Sequence, residues 1–333
     1  MRHPSASAPL LLAAVLGGLG TVPAAHASTG PPAARAAWIK SCTDKKTDTA
    51  RPCGHWRLVM RDGRTLAVRD AAVTRVGGNG ERTREEGRFA VSGDGRVIAY
   101  ERAGDHRIVV RRAAGGPVTV LPESLVPKDA GTEGIAFQLS PSGDRVMVDR
   151  LDDAAVMPTK VVTVATGRIV RFPGRDEHPS FSADGDEILA RRHHRDNTTS
   201  MVAHRLGGGS TRRTPPQVVA NAANEALAAD GRTVALFVAG NADRGKAPRL
   251  RIYDLETGEL SAGVDLALKP DAEPSHMSWT AGGALTATFV PRDEHGGSAV
   301  VRVLTVDVGS GAVTRADAYS ASRTAYAYHV AGE

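Results

Sequence analysis

The chain has 333 residues, of which 41% are hydrophobic and 4% aromatic, and its formal net charge is +5. The charge excess is mild and the aromatic side chains that stack on bases are scarce, so the composition argues against a nucleic-acid-binding protein. After the N-terminal segment, no apolar run approaches the roughly 18 residues of a membrane span, which argues against a transmembrane protein.

The N-terminal segment, residues 1–27, has the pattern of a secretory signal peptide. The pair Arg2-His3 precedes an apolar stretch from Leu10 to Leu19, and Ala25-His26-Ala27 is a small-x-small cleavage site. We therefore expect cleavage after Ala27 and a secreted, extracellular mature chain. No cysteine stands at the cleavage site, so we expect no lipid anchor.

The segment that follows, residues 28–55, contains both cysteines of the chain, Cys42 and Cys53. Outside the cell the compartment is oxidising, and there we predict that the two form a disulfide. A redox-active pair and half of a metal site are the alternatives, although the spacing does not match Cys-x-x-Cys.

One phrase then occurs five times, with an apolar run, a polar turn that ends in glycine, and a second aliphatic run. Its first copy reads Phe89-Ala-Val-Ser-Gly-Asp-Gly-Arg-Val-Ile-Ala-Tyr100. Such a turn is typical of a β-hairpin, because glycine adopts positive φ without steric cost. Successive turn glycines are 48, 42, 46 and 52 residues apart, and one four-stranded propeller blade takes about 40–50 residues. These glycines are Gly95, Gly143, Gly185, Gly231 and Gly283.

Two further strands fit after each hairpin, as in Arg107–Arg112 and Pro117–Leu121. The hairpin Trp56–Val68 has no inner pair of strands before it, and Thr324–Val330 is an apolar strand with nothing after it. Pairing these two ends in one composite blade leaves no sheet edge exposed. We predict an all-β fold for residues 56–333, a single six-bladed β-propeller of four-stranded antiparallel blades with the termini closing the ring. Five or seven blades are the alternatives.

The repeated phrase, with Phe or Trp, Ser or Thr, Asp-Gly and an aliphatic run, resembles the repeat of TolB-like and WD40-like (PD40-type) propellers from about Arg88 to Thr314. No Trp-Asp dipeptide closes a blade, so TolB-like is the nearer description. The whole chain is also similar to secreted actinobacterial propellers rich in Ala, Arg and Gly. Such propellers include scaffold proteins, enzyme accessory domains and a few lyases, so the resemblance implies a fold and leaves function open.

Motifs of common enzymes are missing from the sequence. There is no Gly-x-Ser-x-Gly elbow and no α/β-hydrolase segment, which argues against a serine peptidase. Gly77–Gly80 and Gly207–Gly209 open no helix, so we interpret them as turns between strands. There is no Asp-x-Asp-x-Asp-Gly calcium loop, and we predict neither a metal nor a cofactor.

Polar residues just before the predicted inner strands form the best candidate site. His178 and His276 occupy equivalent repeat positions near the expected rim of the central channel, and imidazole can ligate metals or transfer protons near neutral pH. Propellers bind ligands through such loops, and we predict a ligand-binding rim made of Glu133, Glu177, His178, Glu273 and His276. Solvated loop residues without a role are the alternative. Further histidines follow the third hairpin, at His193, His194 and His204.

We therefore predict a secreted, monomeric, non-enzymatic propeller that binds a protein or a cell-envelope polymer through one rim, with the ring as a rigid platform. One alternative is a secreted lyase or hydrolase that acts on polysaccharide through a His-centred channel site. Another is a structural component of an envelope or secretion assembly. Arginine pairs such as Arg191-Arg192 are interpreted as solvated strand edges, with a docking surface for an anionic polymer or acidic partner as the alternative.

Overall fold

The computed structural model describes residues 31–127, 129–151, 157–290 and 300–333. The predicted signal peptide lies outside the described residues. Pro31–Glu333 forms one compact unit. Within the described ranges, none of the helices has the length and apolar character that a membrane crossing requires.

The described chain is almost entirely β-structure. Apart from a short 3-10 turn (Glu123–Leu125) and one helical turn, α1 (Gln217–Ala220), its elements are strands. In chain order they are β1 (Ala34–Asp44), β2 (Thr49–Met60), β3 (Thr65–Val68), β4 (Thr74–Val76), β5 (Arg82–Glu86), β6 (Phe89–Val91), β7 (Val97–Glu101), β8 (Ile108–Arg112), β9 (Thr119–Val120), β10 (Ile135–Leu139), β11 (Arg145–Arg150), β12 (Thr159–Thr163), β13 (Ile169–Phe172), β14 (Glu177–Phe181), β15 (Glu187–His193), β16 (Thr199–Arg205), β17 (Ser210–Arg213), β18 (Asn224–Leu227), β19 (Thr233–Val238), β20 (Arg249–Asp254), β21 (Val264–Asp265), β22 (His276–Trp279), β23 (Leu285–Phe289), β24 (Val300–Val306), β25 (Val313–Ser320) and β26 (Ala325–Val330).

These strands form six four-stranded antiparallel sheets, the blades of a propeller. The closing blade has the order β26-β1-β2-β3. The second to sixth blades are β6–β9, β10–β13, β14–β17, β18–β21 and β22–β25, each in sequence order. A separate hairpin, β4–β5, stands between the closing blade and the second. The predicted six-bladed, all-β ring is therefore confirmed.

Each blade returns the chain to the face on which the blade began, because it contains an even number of antiparallel strands. All inner strands (β26, β6, β10, β14, β18 and β22) therefore begin on one face, which we name the upper face. Third strands run parallel to the inner ones and end on the opposite, lower face. The residues before each inner strand consequently share the upper face, as the predicted rim requires.

The closing blade joins the two ends of the described chain. Ala36 of β1 pairs with Val330 of β26, and Lys40 pairs with Ala325. The predicted closure by the termini is confirmed, but β1 was not foreseen. Its buried face is rich in alanine, a residue depleted in strands, which leaves only a weak strand signal. A boundary at residue 56 would fall inside β2, so the structure places residues 34–55 within the propeller sheet.

The turn glycines of the inner hairpins all have positive φ, and at Gly95 the neighbouring blade also approaches closely. Gly95 has a φ of +75°, and a Cβ there would lie 2.1 Å from the carbonyl oxygen of Ala34. Asp94 Oδ1 accepts hydrogen bonds from the Ser92 hydroxyl at 2.6 Å and the Arg96 amide at 2.9 Å. The Ser-x-Asp-Gly turn therefore fixes the hairpin and lets the neighbouring blade pack against it.

Candidate functional site

The five residues predicted from the sequence all lie on the upper face. Glu133 and Glu273 precede β10 and β22, while Glu177, His178 and His276 open β14 and β22. They belong to the third, fourth and sixth blades. Within the described residues, no hydrogen bond or ion pair joins any two of these side chains, so the structure places them around a ring of positions.

The three glutamates of this set are accessible. Glu133 and Glu273 are exposed, and the backbone carbonyl of Glu133 accepts a hydrogen bond from the Arg88 guanidinium at 2.9 Å. The carboxylate of Glu177 lies 3.7 Å from Nε2 of His193, with both side chains about half exposed. The upper face thus presents carboxylates on three blades.

The two histidines have different environments despite their equivalent repeat positions. His178 is exposed and has a φ of +52°, where the pairing of β14 with β15 is interrupted. Nε2 of His276 is closed to solvent and has no hydrogen-bond partner in the described structure. Burial lowers the pKa of His276 to about 4, so its imidazole is neutral at pH 7. A Cβ on Gly332 would lie 3.5 Å from this nitrogen, so the end of the closing blade covers it.

A two-stranded ribbon rises from the upper face of the closing blade. The strands β1 and β2 have 11 and 12 residues, and they continue past the point where Lys40 meets the first residue of β26. The four residues of β1 after Lys40 extend about 13 Å at the usual rise of a strand. The predicted disulfide between Cys42 and Cys53 is present in this ribbon, with a Cα–Cα distance of 5.9 Å. Exposed cations occupy its outer end, at Lys45, Lys46 and Arg51.

A buried polar network supports the rim beside Glu133. Glu101, at the upper end of β7, is fully buried, and its carboxylate contacts His106 Nδ1 at 2.6 Å and accepts a hydrogen bond from the Thr132 hydroxyl at 2.8 Å. The Arg88 guanidinium donates to the carbonyls of Thr132 and Glu133. Burial, followed by the charge of Arg75, lowers the pKa of Arg88 to about 10. This network fixes the loop that precedes β10.

A second buried cluster, Asp176–Arg192–His204, lies inside the fourth blade. Arg192 donates to both oxygens of Asp176, at 2.5 and 2.8 Å, and His204 Nε2 lies 2.6 Å from Asp176 Oδ2. All three residues are less than 10% exposed. Burial raises the pKa of Asp176, but hydrogen bonds from His204 and Arg192 outweigh it and hold the pKa below its usual value. The carboxylate is therefore ionised at neutral pH.

The interpretation of Arg191 and Arg192 as a solvated edge is wrong. Arg192 belongs to the buried cluster, while Arg191 binds both carboxylate oxygens of Glu225 and the carbonyls of Ala220 and Ala222. The available signal was the position of both arginines at the end of an apolar strand. Gly77–Gly80 and Gly207–Gly209 are confirmed as turns, which join β4 to β5 and β16 to β17. Across the described ranges, no three His, Cys, Asp or Glu side chains converge as metal ligands.

No protein-family model matches the chain, and no curated protein matches it. Solved structures similar to it include TolB from Acinetobacter baumannii, which is 17% identical with a TM-score of 0.46. The match covers 84% of this chain and 65% of TolB, so the chain spans less than two thirds of that protein. The β-propeller domain of the Trilobed protease from Pyrococcus furiosus is 12% identical, with a TM-score of 0.46 over 84% of this chain and 80% of that one. Acylaminoacyl peptidase from Pyrococcus horikoshii is 16% identical, with a TM-score of 0.46 over 84% and 43%. The likeness is one of fold and assigns no activity.

Proposed function

We propose that this protein is an exported, non-enzymatic propeller whose upper face binds a protein or a polymer of the cell envelope. The observation that carries the proposal is the disulfide-linked ribbon, which stands on the same face as the accessible carboxylates of the rim. An isolated two-stranded ribbon is only marginally stable in water, so a cross-link in its projecting part supports a role that needs a defined shape.

The charges of the upper face support a partner that is itself unevenly charged. The ribbon carries Lys45, Lys46 and Arg51, while Glu133 and Glu273 stand on the third and sixth blades. Opposite charges at separate places on one face orient a partner and increase its rate of association. The buried network around Glu101 holds the rim in place, so binding would require little reordering.

Export is part of the proposal. The pattern of residues 1–27 and the disulfide fit an oxidising extracellular compartment. The alternative of a His-centred lyase or hydrolase has less support, because Nε2 of His276 is closed to solvent and His178 lies two blades away. We therefore put forward no second function.

The proposal is tested by capture of a partner with matched charge variants. Immobilised protein is exposed to culture filtrate and to solubilised envelope of the producing organism. The upper-face variant replaces the rim carboxylates, with Glu133→Gln, Glu177→Gln and Glu273→Gln. The control makes three equivalent changes on the lower face, with Asp186→Asn, Glu256→Gln and Glu259→Gln.

We expect a partner that the wild type and the lower-face variant retain and that the upper-face variant loses. Removal of three carboxylates from the binding surface lowers the affinity because it removes their attraction to charges on the partner. Added salt screens the same attraction and should weaken binding of the same partner. Equal retention by both variants, or failure to recover any partner from either fraction, would contradict the proposal.

A further inference from the structure

A cleft of about 450 Å³ lies between the third and fourth blades, where β13 faces the turn that joins β16 to β17. Its lining includes Arg168, Phe172, His204 and Ser210. The volume is within the range of sites for small molecules, about 300–1,000 Å³. Since β16 is a third strand, the turn after it belongs to the lower face, and none of the five rim residues lines the cleft.

The inner wall of the cleft contains an imidazole that the protein holds in one orientation. His204 is buried, its Nε2 contacts the ionised carboxylate of Asp176 at 2.6 Å, and its ring lies against Phe172 with centroids 5.1 Å apart. Arg192 fixes the same carboxylate from the other side. Within the described residues, no hydrogen bond occupies Nδ1 of His204. With a proton on Nε2 donated to Asp176, the Nδ1 of a neutral imidazole accepts a hydrogen bond.

The outer wall of the cleft supplies donors for an anion. Arg168 is exposed, and no carboxylate of the described structure pairs with it. In the glycine turn, Gly208 and Gly209 have φ values of +111° and +87°. The backbone amides of Gly207 and Gly209 donate no hydrogen bond to the described protein. The amide of Gly208, between them, donates to the Arg205 carbonyl at 3.0 Å, so the turn offers two exposed amide donors beside Arg168 to an anionic group.

We propose that this cleft binds a small molecule about the size of a monosaccharide that carries both an anionic group and a hydroxyl. The Arg168 guanidinium and the amides of Gly207 and Gly209 receive the phosphate or carboxylate. His204 Nδ1 accepts a hydrogen bond from the hydroxyl, and Asp176 keeps the ring in place. A neutral sugar lacks the group that Arg168 binds, and a hydroxyl-free anion lacks the group that His204 binds.

The experiment measures binding of three probes by calorimetry: glucose 6-phosphate, glucuronate and neutral glucose. In parallel, nitrogen NMR of the histidine rings follows the His204 resonances. Arg168→Ala removes the exposed guanidinium without disturbing the buried cluster. Arg112→Ala, which removes an equally exposed arginine from β8 on the second blade, is the matched control.

We expect at least one anionic sugar to bind and to shift the His204 resonances, and the more tightly bound one identifies the anion. Arg168→Ala should weaken that binding about tenfold or more, since hydrogen bonds to charged groups are the strong ones. Glucose should bind far more weakly, and Arg112→Ala should bind like the wild type. Absence of binding by both anionic sugars, equal loss in the two variants, or unchanged His204 resonances would overturn the proposal. None of these results affects the partner test on the upper face.

Discussion

The closing blade and the fourth blade differ in the side chains that they bury. In the closing blade, Ile39, Trp56 and Met60 are fully buried, and the Trp56 ring stacks on Phe89 of the second blade at 4.6 Å. The fourth blade also buries apolar side chains, such as Leu189 and Met201, but it encloses the charges of Asp176 and Arg192 among them. The same architecture therefore accepts an ion pair within an otherwise apolar blade.

The difference shows which buried groups stabilise the fold and which ones the fold only accommodates. Burial of apolar surface stabilises a blade by about 25 cal/mol for each Å² removed from water. A buried ion pair loses its hydration, and replacement by apolar residues of similar volume is often neutral or stabilising. The Asp176 cluster is thus not required for stability by the architecture itself, and its position at the wall of a cleft supports a role in binding.

The largest effect is expected from removal of the strand that closes the ring. Deletion of residues 324–333 takes away β26, leaves the inner edge of β1 unpaired and removes His329 from the Trp56 ring, on which it stacks with centroids 5.5 Å apart. We expect loss of the cooperative unfolding transition, measured by circular dichroism during heating. Deletion of residues 331–333 alone, which keeps β26, is the control and should lower the melting temperature much less. An unchanged melting temperature in the longer deletion would show that the termini do not close the ring.

A smaller loss of stability is expected when the buried ion pair of the fourth blade is broken. Asp176→Ala leaves the buried charge of Arg192 and the buried Nε2 of His204 without their partner, and such a change costs about 3–5 kcal/mol. The measurement is urea unfolding at pH 7. Glu177→Gln changes the adjacent, half-exposed carboxylate and should alter the unfolding free energy by about 0.5 kcal/mol or less. Equal effects of the two substitutions would contradict a special role of the cluster.

The same variant has a predicted pH dependence. Because the folded protein lowers the pKa of Asp176, its ionised pairing contributes stability above the pKa of aspartate in the unfolded chain, about 3.9. This contribution disappears as the pH falls from that value through the lower folded pKa. The gap between wild type and Asp176→Ala should therefore narrow below about pH 4. A constant gap down to acid pH would contradict the sign of the shift.

The smallest effect is expected from the disulfide. A cross-link between residues 11 apart in sequence constrains the unfolded chain by at most about 3 kcal/mol. The Cys42→Ser/Cys53→Ser variant loses this full amount of unfolding free energy only if its ribbon stays formed in the folded protein. If the ribbon frays, the folded state also gains conformational freedom, and the loss of unfolding free energy is smaller. Trypsin should then cut faster after Lys45 and Lys46, while the rest of the ring stays intact. Unchanged cleavage at these sites would show that the ribbon keeps its shape without the cross-link.

Much of the fold could be predicted from the sequence because it repeats. The turn after Ser92 and its equivalents has a local chemistry, Asp-Gly at the end of an apolar run, that needs no knowledge of the rest of the chain. The spacing of these turns then predicts the number of blades. β1 was not predicted because Ala36 and Ala37 give little strand signal. Its place in the blade also depends on a partner near the other end of the chain.

The buried cluster and the rim site could be predicted less well from the sequence. Asp176 and His204 are 28 residues apart, and they meet only when the blade folds. The two rim histidines, His178 and His276, occupy equivalent repeat positions, yet one is exposed and the imidazole of the other is buried beside Gly332. Burial by a distant segment has no local signature, so equivalent positions in a repeat do not guarantee equivalent environments.

The place of β26 as an inner strand has a consequence for the order of folding. β1 is among the first strands in the chain, yet its inner edge pairs with the last. Contacts between such distant residues form slowly, because a long loop has to close before they give any stability. Until residues 325–330 arrive, β1 presents an open apolar edge that can pair with another chain. Ring closure is therefore the expected slow step of folding, and a stalled or truncated chain is the form most exposed to aggregation.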